Sequence, residues 1–119
     1  MHRTIDGELS MAEVTPGFVR ELRALEPHGL GNPKPLFVAP AIVMRDASCV
    51  GKDASHLRFE AEDGTSSVKA IAFRCDDIEE RLAQDGAVGI VFEIEPDDYR
   101  GRDGVQLLVR DFVKPVPAG

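Results

Sequence analysis

Between residues 41 and 113, apolar side chains recur at every second position in five stretches and at helical spacing in one. That switch of period constrains the fold more than any other feature. Period two belongs to strands with one face buried, and period 3.6 to an amphipathic helix. The cleanest stretch is HLRFEA (56–61), which puts Leu57, Phe59 and Ala61 on one face and His56, Arg58 and Glu60 on the other. AIVMRDASCV (41–50) precedes it, with Ile42 and Met44 opposite Val43 and Arg45. Asp63-Gly64 is a hairpin signal because both residue types tolerate positive φ. It leads into SVKAIAF (67–73), apolar on nearly both faces, so something is expected to pack over its outer side.

CDDIEERLAQDG (75–86) is the expected cover. Asp76 or Asp77 can cap a helix, Glu79 and Glu80 suit its positive first turn, Ile78 and Leu82 share one side, and Gly86 stops it. AVGIVFEIE (87–95) turns Val88, Ile90, Phe92 and Ile94 inward. After the polar turn PDDYRGRDG (96–104), VQLLVRDFV (105–113) makes the last strand. The order β-β-β-α-β-β, with a helix between strands three and four, predicts an all-β domain. It matches the five-stranded OB-fold, a partly open Greek-key barrel.

A helical leader is expected ahead of the barrel. Ser10 and Glu13 have capping-box spacing, and Thr15-Pro16 is a second N-cap with proline at the first helical position. Phe18, Leu22 and Leu25 form an apolar stripe, and Pro27 and Gly29 end the helix, read as 16–25. The domain division is a leader and joint over 1–35, the barrel over 36–115, and a frayed tail over 116–119. The segment LEPHGLGNPKPLF (25–37) reads as the joint that sets the angle at which the barrel begins.

With 119 residues the chain can build one core. No apolar run is long enough to span a membrane, and the N-terminus has no signal-like stretch, so a cytoplasmic location is expected. Cys49 and Cys75 form no CxxC pair and are expected as free thiols. Serines lie outside any nucleophile motif, and His2, His28 and His56 are scattered without metal-ligand spacing. GLGNP lacks both glycine-rich phosphate-loop patterns. No catalytic residue and no metal site are therefore expected, and no cofactor for this chain alone.

A net charge of −7 argues against a polyanionic partner only if charge is spread evenly. Asp76, Asp77, Glu79, Glu80 and Asp85 all fall on the expected covering helix. Basic residues fall on the elements with which OB barrels hold single strands, namely the face of strands two and three and two of the loops. The candidate nucleic-acid-binding residues are Arg45, Lys52, His56, Arg58, Lys69, Tyr99, Arg100, Arg102 and Arg110. Tyr99 is the clear base-stacking candidate, since Phe59 and Phe92 fall on inward positions. An ordinary solvated face would also alternate lysines and arginines in this way. A docking barrel that braces a neighbouring domain or recruits a protein would instead expose an apolar patch such as Val43, Ile71 and Leu108. An RNA-binding OB module of the tRNA-anticodon type is the third class.

The segments E-P-x-G-x-G-N-P-x-P (26–35) and G-K-D-x-x-H-L (51–57), followed by VKAIAF, resemble the OB domain of the RecJ family of single-strand-specific exonucleases. The resemblance runs from about Ile5 to Pro115 and departs at His28, where phenylalanine is expected. It implies a single-stranded DNA-binding module of a 5′–3′ exonuclease acting in recombination and repair. It also implies a DHH-type catalytic core, elsewhere in the parent protein, that holds Mn2+ or Mg2+ on aspartates and histidines. No D-H-H is present here, so those ligands transfer to no residue of this chain. The implied partners are single-stranded DNA, that core, and repair proteins.

Overall fold

The structure is a computed structural model that describes residues 5, 7–24, 35–51, 55–73, 86–97 and 104–114. A short strand β1 (Gly7–Glu8) is followed by a 3-10 turn (Met11–Glu13) and helix α1 (Pro16–Arg23). Five further strands follow: β2 (Phe37–Val50), β3 (His56–Glu62), β4 (Ser67–Ala72), β5 (Val88–Asp97) and β6 (Gly104–Val113). The sheet order is β1-β2-β3-β4-β6-β5, and β2 also pairs with β5, which closes β2–β6 into a five-stranded barrel. β4 and β6 run parallel, while β2–β3, β3–β4, β5–β6 and β2–β5 are antiparallel. The expected OB barrel is thus the observed one.

β2 makes closure possible because it serves two partners. Its first half pairs β5 from Phe37↔Phe92 to Ile42↔Val88, and its second half pairs β3 from Val43↔Glu62 to Val50↔His56. Each pairing contains a register shift, one between Ala39 and Ile42 and one between Arg45 and Ser48. Pro40 lies in the first, where a residue without an N–H costs no ladder bond. Asp46, at φ 54°, lies in the second. Bulges of this kind bend a strand and increase its twist, as a small barrel requires. The strand begins at Phe37, ahead of the expected boundary at 41, because Pro40 sits in a bulge and does not end the strand.

The inward alternation holds closely. Ile42, Leu57, Phe59, Ala61, Val68, Ala70, Ala72, Val88, Ile90, Phe92, Leu107 and Val109 are buried. Ile94 and Met44 are half-buried and pack against that core. The leader joins the same core. Leu9, Met11 and Val14 are buried members of it, and Phe18 of α1 meets Phe37 edge-on at 5.9 Å between ring centroids. Thr15 caps α1 as expected, its Oγ1 accepting from Phe18 N–H at 3.1 Å. The helix ends at Arg23, not at 25. The Ser10–Glu13 box serves the 3-10 turn, Ser10 N–H donating to Glu13 Oε1 at 2.9 Å.

The β3–β4 turn is where leader and barrel are tied. Gly64 takes positive φ (90°), whereas Asp63 acts through its carboxylate. Asp63 Oδ1 accepts from Thr65 N–H (3.0 Å), Thr65 Oγ1 (2.6 Å) and Ser66 N–H (3.4 Å). Its Oδ2 accepts from Met11 N–H at 2.8 Å, across 52 residues of sequence. Thr65 Oγ1 in turn accepts from Ala12 N–H at 3.2 Å. Burial pushes the Asp63 pKa up, but the Thr65 hydroxyl and the Met11, Thr65 and Ser66 amides outweigh it and leave the carboxyl below its ordinary value.

The helix expected over 75–86 lies, but for Gly86, outside the described residues. So do Cys75 and almost all of the joint segment 25–37, of which Pro35, Leu36 and Phe37 are described. Among the described residues no helix is long and apolar enough to cross a membrane.

Candidate nucleic-acid interface

The outward residues of β2, β3 and β4 form cross-strand rows, because paired positions in antiparallel strands point to the same side. One row is Val43, Glu62 and Ser67, and the next is Arg45, Glu60 and Lys69. The third is Ser48, Arg58 and Ile71. The last begins with Val50 and His56. Phe73 completes it from just beyond β4, its ring meeting the His56 ring edge-on with centroids 4.9 Å apart. A groove of about 300 Å³ opens over the middle rows, lined by Asp46, Ser48, Arg58, Phe59, Glu60 and Lys69.

Four expected binding residues, Arg45, His56, Arg58 and Lys69, therefore share one face, with Arg45, Arg58 and Lys69 exposed and His56 half-buried. They do not form a continuous basic surface. Glu60 sits between Arg45 and Lys69 in its row, Asp46 lines the same groove, and Arg45 Nε is ion-paired with Glu62 Oε2. The alternation that points basic residues outward points Glu60 and Glu62 outward with them. Reading the basic residues of a strand without their cross-strand neighbours hides this balance.

Arg110 belongs to a different environment. The β5–β6 register shifts between Val91↔Asp111 and Phe92↔Val109, so Arg110 is the extra residue of a bulge. Its Nε pairs with a carboxylate oxygen of Glu93, a buried acidic residue. A buried carboxylate needs such a partner, so this arginine has a structural task that its sequence position did not reveal. Lys52, Tyr99, Arg100 and Arg102 lie outside the described residues.

Phe73 is the residue that sequence reasoning missed. By sequence it is the end of an apolar strand, yet it is 53% exposed and faces His56. Its parity with Ser67, Lys69 and Ile71 was the available signal. The three residues of the alternative docking patch do not make one: Val43 is exposed, Ile71 is half-buried and Leu108 is buried. Among the described residues no group of three or more His, Cys, Asp or Glu could hold a metal ion.

A closed barrel of five strands, with β4 and β6 parallel and an open groove across β2–β4, defines an OB-fold domain. The chain belongs to the RecJ OB domain family, which it matches over residues 5–111. The single-stranded-DNA-specific exonuclease RecJ of Bacillus subtilis (strain 168) is 22% identical over 107 residues, covering 90% of this chain and 14% of that protein. RecJ from Thermus thermophilus, solved in complex with Mg2+, superposes with a TM-score of 0.72 at 26% identity, covering 95% of this chain and 17% of that one. Asparaginyl-tRNA synthetase from Pyrococcus horikoshii shares the fold alone, with a TM-score of 0.60 at 16% identity over 95% of this chain and 24% of that chain. The chain thus spans a small fraction of the length of the RecJ proteins it matches.

Proposed function

We propose that this chain is the single-stranded DNA-binding module of a RecJ-like 5′–3′ exonuclease of recombination and repair, and that it grips the strand without cleaving it. The observation that carries this reading is the convergence of Arg45, Arg58, Lys69 and His56 on one grooved barrel face in a member of the RecJ OB family. OB barrels hold single strands on this face by tracking the backbone with positive groups and stacking bases on aromatic rings. Hydrolysis in such a protein belongs to a DHH-type core using Mn2+ or Mg2+. The described residues offer no cluster that fits such an ion, so no metal-dependent step is assigned to them.

Because Glu60 and Asp46 stand among the cations, the affinity of this face is expected to be modest and salt-sensitive. Fluorescence anisotropy with a labelled oligonucleotide at low salt tests the proposal. Single strands are expected to bind and matched duplex to bind more weakly. Arg58→Ala or Lys69→Ala should weaken binding to every sequence alike and reduce the log–log salt slope by about 1. Equal binding to duplex, or none to single strands, would overturn it.

A further inference from the structure

The outward series of β4, Ser67, Lys69 and Ile71, ends at Phe73, the most exposed of the large hydrophobic residues described. Its edge-on partner His56 also meets the backbone. Gly51, at φ 93°, runs so close that a Cβ there would sit 2.5 Å from His56 Cδ2. The backbone before the β2–β3 loop therefore packs directly against the imidazole. A ring left 53% exposed forgoes about half of the gain from burial.

Position adds to this. The His56–Phe73 pair is the next row after Arg58 and Ile71, and same-face residues along a strand are separated by about 7 Å. A backbone lying along Arg58 and Lys69 would bring a base over this pair. The charged rows themselves are balanced, with Arg45, Arg58 and Lys69 against Asp46, Glu60 and Glu62. Phosphate attraction on this face is correspondingly weak, which leaves stacking as the salt-insensitive contribution available.

We propose that Phe73, braced by His56, is a stacking subsite for one unpaired nucleobase at the end of the Arg58–Lys69 groove. This rests on the reading of that face as a single-strand interface. In a duplex both faces of each base are already stacked, so the subsite selects for unpaired strands.

The chain contains no tryptophan, so Phe73→Trp introduces a single reporter at the subsite. Its emission should be quenched on adding an unlabelled oligothymidylate and unchanged on adding an abasic strand of equal length. Phe73→Ala should weaken oligothymidylate binding by about 5- to 150-fold, the range for losing one stacked base. It should leave the salt slope unaltered, since no phosphate contact is removed, and leave the weaker binding of the abasic strand unchanged. If the unsubstituted chain binds oligothymidylate but Phe73→Ala binds equally well and the tryptophan is not quenched, the subsite is overturned and the interface stands. If the unsubstituted chain binds no single strand, the interface and the subsite fall together.

Discussion

On β3 the inward residues Leu57, Phe59 and Ala61 are at most 2% exposed, while Arg58 between them is exposed and His56 and Glu60 are half-buried. The same short strand thus serves two environments with different tolerances. On its inner face all three positions are apolar and buried, so a lost methyl group leaves a void. Outside, charges of both signs alternate across the strands in water, where each pair contributes little to stability and much to what the face can attract. Stability should therefore respond to the inner face, and binding to the outer one.

The largest effect is expected from Phe59→Ala, which should destabilise the domain by about 3–5 kcal/mol in urea unfolding. A loss below about 1 kcal/mol would mean that the barrel interior is not packed as described. Next comes a contrast between two arginines. Arg110→Met strands the buried Glu93 carboxylate and should cost about 1–3 kcal/mol, whereas Arg58→Met should change stability by less than about 0.5 kcal/mol. Equal costs would erase the distinction between a structural arginine and a face arginine.

Asp63 connects the two regimes, since it lies at the surface but holds the leader to the barrel. Its folded pKa lies below the ordinary carboxyl value of 3.8, so the stability it contributes is present above that value and is lost as pH falls through the lowered folded pKa. Asp63→Asn should flatten this acid limb in unfolding curves followed downward from about pH 5. An unchanged limb would show that the turn does not sense its charge. The smallest effect is expected from Glu60→Gln, nearly silent in unfolding but raising single-strand affinity a few-fold at low salt. No gain would place the phosphate track away from the Arg45–Lys69 row.

Much of the fold was legible in the residues. Alternation identified all five barrel strands and nearly every inward side chain, and the order of periods selected the OB topology. The strand ends were less legible where bulges intervened, as at Pro40 and Asp46, because a bulge is a property of the pair and not of one strand. The candidate site was legible as a set of outward cations and illegible as a surface. Glu60 between Arg45 and Lys69, Arg110 bound to Glu93, and Phe73 against His56 are all cross-strand facts.

By itself the sequence determined the inward side of each barrel strand, where strands and α1 begin within a few residues, and which family's motifs the chain carries. These depend on local periodicity and on short signatures, which need no partner. It did not determine the outer faces, since the side of β4 expected to be covered carries exposed Ser67, Lys69 and Phe73, while outward Val91, Glu93 and Leu108 are buried. Only the tertiary structure decided that Asp63 would hold Met11, that β2 would pair with both β3 and β5, and that the basic face would be charge-balanced with an exposed ring at its end. The reason is physical: barrel closure and register bring together residues far apart in the chain, and pairing across strands is set by the whole barrel rather than by any one of its segments.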